Sequence, residues 1–116
     1  MPYAYRKSER LRKNREFTQV MKQGKRLSAD GLSLFYAENG RENFRIGIST
    51  ARKLAGAVTR NRMKRQVRAC ITTALDDRAA GYDMVFIVRQ GLLGGEFSRI
   101  QKVVRDILNR AGFRKQ

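Results

Sequence analysis

Arg60, Asn61, Arg62, Lys64, Arg65 and Arg68 stand within one short stretch, preceded by Arg52 and Lys53, and no acidic residue occurs from Asn43 through Leu75. The chemistry open to this set is the binding of phosphate. Guanidinium and ammonium groups this close repel one another unless a polyanion lies over them. A merely solvated helix face intersperses Glu with Lys at four-residue spacing for a few tenths of a kcal/mol per pair, whereas this one repeats like charges.

Hydrolytic chemistry is poorly provided for. The chain has no histidine, the side chain best suited to proton transfer near neutral pH. Its carboxylates are scattered over expected loops and helix ends, and Asp76 and Asp77 are adjacent, which on a helix would point them about 100° apart. A two-metal phosphodiesterase site needs several carboxylates converging on one place. Gly91, Gly94 and Gly95 lack the spacing of a phosphate-cradling loop. The single cysteine, Cys70, excludes an intrachain disulfide and falls at an apolar helical position, where a core thiol is expected.

The whole composition points the same way: 26 Lys and Arg against 10 Asp and Glu give a formal charge of +16 on 116 residues. Such a surplus speaks of a nucleic-acid partner and not of a fold. The length sets an expectation of one domain, 1–116, with a basic arm over 1–13, and 41% hydrophobic residues suffice for one modest core. No run approaches a membrane span and the amino terminus has no signal-peptide core, so the expected setting is the cytoplasm.

The elements that must carry these side chains are legible from periodicity. Asn14 is the expected cap of a helix that has Glu16 in its first turn and Gly24 just past its end. Leu32 to Ala37 and Phe44 to Thr50 alternate, and Asn39-Gly40 between them predicts a hairpin. Ala57 to Leu75 fits a helix with Met63, Val67, Cys70, Ile71 and Ala74 as its apolar stripe, the basic residues running beside it. Met84 to Arg89 is apolar on both alternations, as an internal strand is. Phe97 to Ala111 keeps helical spacing and Gly112 is the stop. The expected order is α-β-β-α-β-α, a small mixed sheet with helices of the α+β class.

With these residues in view, Arg52, Lys53, Gly56, Ala57, Val58, Arg60, Asn61, Lys64, Arg65 and Arg68 resemble the RNR signature of the protein subunit of bacterial ribonuclease P. The resemblance extends to Leu11 through Phe17, Val20 and Gly24, to Arg45 through Ser49, and to Tyr82 through Arg89. It implies a fold similar to the second domain of ribosomal protein S5, with a left-handed βαβ crossover. It implies partnership with a catalytic ribonuclease P RNA, which uses Mg²⁺ to remove the 5′ leader of precursor tRNA. No catalytic residue, protein-held metal or small-molecule substrate is expected in the chain itself.

By the same resemblance, Arg52, Lys53, Arg60, Asn61, Arg62, Lys64, Arg65 and Arg68 contact the RNA subunit, while Phe17, Met21, Ser33, Phe35, Ser49 and Val88 line a cleft for the leader. The alternation permits that cleft: Ser33 and Phe35 share a face, Gly47 and Ser49 lie away from the Ile46 and Ile48 face, and Met84, Phe86 and Val88 would complete the floor. Where the family commonly has Gly and Asn, this chain has Ala55 and Gly56, so the turn entering the helix is expected either to be shifted or to use Gly56 for any positive φ. Met21 replaces what is often an aromatic. A protein that binds ribosomal RNA or assists ribosome assembly shares the charge, size and lack of catalytic groups, and is the alternative reading. An amphipathic membrane-surface protein is disfavoured, because the apolar faces are spread over elements that need one another.

Overall fold

The computed structural model describes residues 10, 11 and 13–113. Most of the predicted basic arm therefore lies outside the described residues. In chain order the elements are α1 (Asn14–Gln23), β1 (Lys25–Ala29), β2 (Leu32–Glu38), β3 (Arg45–Thr50), α2 (Ala57–Ala74), β4 (Tyr82–Val88) and α3 (Phe97–Ala111). The class is α+β as expected, with one strand more than the sequence suggested.

That strand changes the pairing. The sheet order is β1-β2-β4-β3, with β1 and β4 antiparallel to β2 and β3 parallel to β4. The expected hairpin of β2 with β3 does not form; β2 instead turns back onto β1 through Asp30 and Gly31, whose φ of +82° suits a glycine. Asn39-Gly40 does reverse the chain, but β4 lies between the two strands so joined. The start of β4 is tied into that connection, since Asn39 N–H donates to the Gly81 carbonyl (2.8 Å) and Gly81 N–H to that of Asn43 (3.1 Å). A strand apolar on both alternations gains most in the middle, and β4 takes that place, with Val85 and Phe86 on opposite faces both fully buried.

Strand alternation then divides the molecule into two layers of unequal depth. Leu32 and Leu34, Ile46, and Met84, Phe86 and Val88 face α2 and α3, which contribute Met63, Val67, Ile71, Ile100, Val104 and Ile107 to the main core. The other face carries a small cluster of Leu11, Val20, Phe35 and Val85, with Phe17 and Ile87 packed beside it, under α1 alone. Chain before α1 adds to this layer: Arg10 bridges in parallel to Ile46, and Leu11 N–H donates to the Ile46 carbonyl at 2.9 Å.

Helix ends follow ordinary rules with one correction. Lys13, not Asn14, is the N-cap of α1, and the Glu16 carboxylate accepts its backbone N–H at 3.3 Å. Gly112 ends α3 in the left-handed region, as predicted. From α3, the Arg110 guanidinium reaches across to donate to the Ser28 carbonyl on β1 (2.7 Å).

One polar network locks the smaller layer to the sheet. Arg45 on β3 donates from Nε and Nη2 to both oxygens of Asp83 on β4 (2.8 and 2.7 Å) and from Nη1 to Glu16 on α1 (2.8 Å). Asn39 Nδ2 adds a bond to Asp83 at 2.9 Å, and Asn39 Oδ1 accepts the N–H of Arg41. The Asp83 hydrogen bonds, outweighing desolvation, push the Arg45 pKa above its ordinary value, so the cation is secure. Replacing Arg45 with Met leaves Asp83 largely buried without its counter-charge, and an expected loss of about 3 kcal/mol should appear in urea unfolding.

Cys70 is a core thiol, as expected: it is 3% exposed, and burial pushes its pKa up. The unfolded chain therefore loses this proton first. Below about pH 8.5 the thiol costs the folded state nothing, and stability should decline as pH rises above that value. Thiol reagents should label Cys70 only after unfolding, which pulsed alkylation measures.

Candidate nucleic-acid interface

α2 is built to show its charge. Met63, Val67, Cys70, Ile71 and Ala74 bury the predicted stripe, and Asn61, Arg62 and Arg65 stand exposed while Arg60, Lys64 and Arg68 are half-buried at its margins. Arg62, Lys64 and Arg65 have no ion pair among the described residues; the pairs that are described join Arg45 to Glu16 and Asp83, and Arg78 to Asp76. Arg60 folds back to the Ala55 carbonyl (3.4 Å), over the turn that carries the exposed Lys53. The Arg52 side chain lies outside the described residues.

No acidic residue occupies the first turn of α2, and no side chain caps it. That end of the helix dipole adds to the positive field. The turn needs no special backbone: Gly56 has φ −68° and Ala55 φ −166°, both open to any residue. Of the two expected alternatives, a positive φ at Gly56 is thus removed.

The opposite layer offers a different surface. On α1, Phe17 is half-buried and Met21 is 39% exposed. A Cβ at Gly47 would run into the tip of the Phe17 ring, so Gly47 on β3 is the seat on which the ring rests. Phe35 and Ser33 point to this layer from β2, as the alternation required, and the half-buried Ser49 lies opposite Ile87. Phe35 is only 8% exposed and belongs to the cluster under α1, with the Arg26 guanidinium 5.5 Å from its ring centroid. It is thus covered rather than bare.

Val88 does not belong to this face. The register sets Leu32 against Val88 and Ser33 against Ile87, which turns Met84, Phe86 and Val88 into the main core. The floor expected from those three is instead Val85 and Ile87. Strand β4 is apolar on both sides, so its alternation alone does not reveal which set faces where; the neighbouring register decides it. Two further groups escape the sequence because β1 does. Ser28 lies opposite Ser33 with hydroxyls 3.3 Å apart, and Arg89 Nε donates to Ser33 Oγ at 2.9 Å.

The arrangement has a cationic helix on one side, with Arg62, Lys64 and Arg65 outside any ion pair among the described residues, and, on the other, a sheet face of small polar, apolar and guanidinium groups. Two carboxylates beside that face, Glu16 and Asp83, are committed to Arg45. Such surfaces bind and orient. Comparison with known proteins agrees in detail: the family model described as Ribonuclease P matches residues 5–112.

The chain belongs to the ribonuclease P protein family.

Among its relatives, the ribonuclease P protein component of Syntrophomonas wolfei is 37% identical over 106 residues, covering 91% of this chain and 89% of that one. That of Desulfotalea psychrophila is 39% identical over 105 residues, covering 90% and 88%. The ribonuclease P protein of Staphylococcus aureus superposes with a TM-score of 0.82 at 26% identity, over 94% of this chain and 100% of that one. The Thermotoga maritima ribonuclease P protein gives 0.74 at 31% identity, over 88% and 96%. These likenesses support the ribonuclease P reading and lend nothing to a ribosomal one. Among the described residues no helix is long and apolar enough to cross a membrane.

Two outcomes test the geometry of a ribonuclease P protein so built. Exchanging Arg62, Lys64 and Arg65 together for Gln should leave unfolding free energy within about 0.5 kcal/mol per site or raise it, since exposed like charges are removed. Gly47→Val should displace the Phe17 ring and cost about 1–3 kcal/mol by overpacking, read by thermal unfolding.

Proposed function

We propose that this chain is the RNA-docking and substrate-holding subunit of ribonuclease P, and that the partner RNA, with Mg²⁺, hydrolyses the phosphodiester joining the 5′ leader to a precursor tRNA. The observation that carries the reading is the pairing of a basic helix, whose Arg62, Lys64 and Arg65 have no ion pair among the described residues, with a separate sheet face beside which Glu16 and Asp83 are committed to Arg45. Arg52, Lys53, Arg60, Asn61, Arg62, Lys64, Arg65 and Arg68 are assigned to the RNA subunit. Phosphate contacts there set register and affinity without reading sequence.

The leader is assigned to the other layer, where Phe17 and Met21 come from α1, Ser33 from β2 and Ser49 from β3. Unpaired bases stack on such groups for roughly 1–3 kcal/mol each, with little regard to sequence. That tolerance suits leaders that differ from one tRNA to the next. A grip on the leader favours precursor over product, because the mature tRNA has nothing to place there. The complex would work in the cytoplasm.

Reconstitution tests the division of labour. Freed of RNA, the chain should leave precursor tRNA intact; with a ribonuclease P RNA at low Mg²⁺ it should restore cleavage at the 5′ junction. Unaided cleavage by the chain would overturn the reading. Neutralising about six phosphates predicts that affinity for the RNA falls by about three orders of magnitude between roughly 50 and 200 mM monovalent salt, the duplex slope serving as guide. Phe17→Ala should weaken precursor binding by about tenfold and mature tRNA binding far less, as equilibrium titration would show.

A further inference from the structure

We propose that Arg26, on the edge strand β1, is a specificity-determining residue of the leader surface: its guanidinium, set over the Phe35 ring, presents the plane on which a leader base lies. The inference rests on the assignment of the leader to this face.

Register places Arg26 directly across from Phe35, and its Cζ lies 5.5 Å from the ring centroid. Phe35 is 8% exposed, so a base has little bare ring to meet. Arg26 itself is exposed and has no ion pair among the described residues. A guanidinium within cation–π reach of a ring still offers a planar surface and N–H donors at its rim. Such a group accepts a base on its plane and a phosphate on its edge at once. Because the ring already restrains it, less side-chain freedom is lost on binding than for a free arginine.

The next rung of the same face extends the site. Ser28 and Ser33 sit opposite each other, and the nearly buried Ser33 holds Arg89 through its Nε, which leaves the two terminal nitrogens of Arg89 without a described partner. Ser33 and Phe35 are two residues apart on one strand face, about 7 Å. An extended nucleotide step bridges such a gap, so a strand lying along β2 would set one base on Arg26 and bring the adjoining phosphate toward Arg89. Lysine at position 26 would keep the charge and lose the plane.

The test measures equilibrium binding of the reconstituted protein–RNA holoenzyme to three RNAs: precursor tRNA with a long leader, the same tRNA with its leader cut to the last nucleotide, and mature tRNA. The parent is compared with Arg26→Ala and Arg26→Lys, each checked for intact fold by circular dichroism. Arg26→Ala should weaken long-leader binding about tenfold, with little change for the other two RNAs, and the salt dependence should become shallower by one single-strand phosphate contact, about 0.7 in log–log slope. Arg26→Lys should restore the slope but not the affinity.

Long-leader affinity equal to the parent in both variants would overturn the proposal, as would equal losses for mature tRNA. Tighter binding by Arg26→Ala would also overturn it, since the guanidinium would then be competing with the base for Phe35. If the parent itself fails to prefer the long leader over mature tRNA, the leader assignment falls and this proposal with it. A parental preference undiminished in both variants removes only the role of Arg26.

Discussion

The guanidinium of Arg45 is the fastening on which the thinner half of this molecule depends. It joins a helix, two strands and, through Asp83 and Asn39, the long connection between β2 and β3. α1 is short and buries only Val20 fully, so apolar packing alone anchors it weakly. A bidentate pair shielded from water supplies direction that such packing lacks. Helix α1 is thereby fixed in angle over the sheet, with Phe17 set on Gly47.

The two surfaces place opposite demands on the fold. The large core of the sheet with α2 and α3 withstands the repulsion gathered on α2, because Met63, Val67 and Ile71 are fully buried beneath it. Mutual repulsion lowers stability when the protein is alone and would be relieved by phosphate laid over the helix, so part of the free energy of such binding would come from strain already present. The face under α1 is shallower and nearly neutral apart from its arginines. A deep core backs the charged helix, and a light cover leaves room beside the other face.

Much of this architecture is readable from periodicity and charge. The helices α2 and α3 fall where Met63 to Ala74 and Phe97 to Ala111 repeat at three and four, since a long amphipathic pattern has few competing readings. Strand β1 escapes because Lys25, Arg26 and Ser28 outnumber Leu27 and Ala29, as befits an exposed edge whose partner lies on one side only. The pairing of β2 with β3 misleads for a related reason. Asn39-Gly40 signals a reversal but not how far the returning strand lands, and the strand that intervenes arrives from much later in the chain. The misplacement of Val88 has the same origin: a strand greasy on both sides announces its burial and conceals its parity. In the basic helix the residue types alone carry the chemistry, whereas Arg26 and Arg89 acquire meaning only from their neighbours.

The bond from Arg110 to the Ser28 carbonyl has a consequence for life at high concentration. β1 is an outer strand, and its unused backbone groups are a template on which another copy could dock and begin to polymerise. Arg110 occupies one of those acceptors, and Lys25 and Arg26 place like charge along the rest of the margin. Two such margins would repel before their backbones could register.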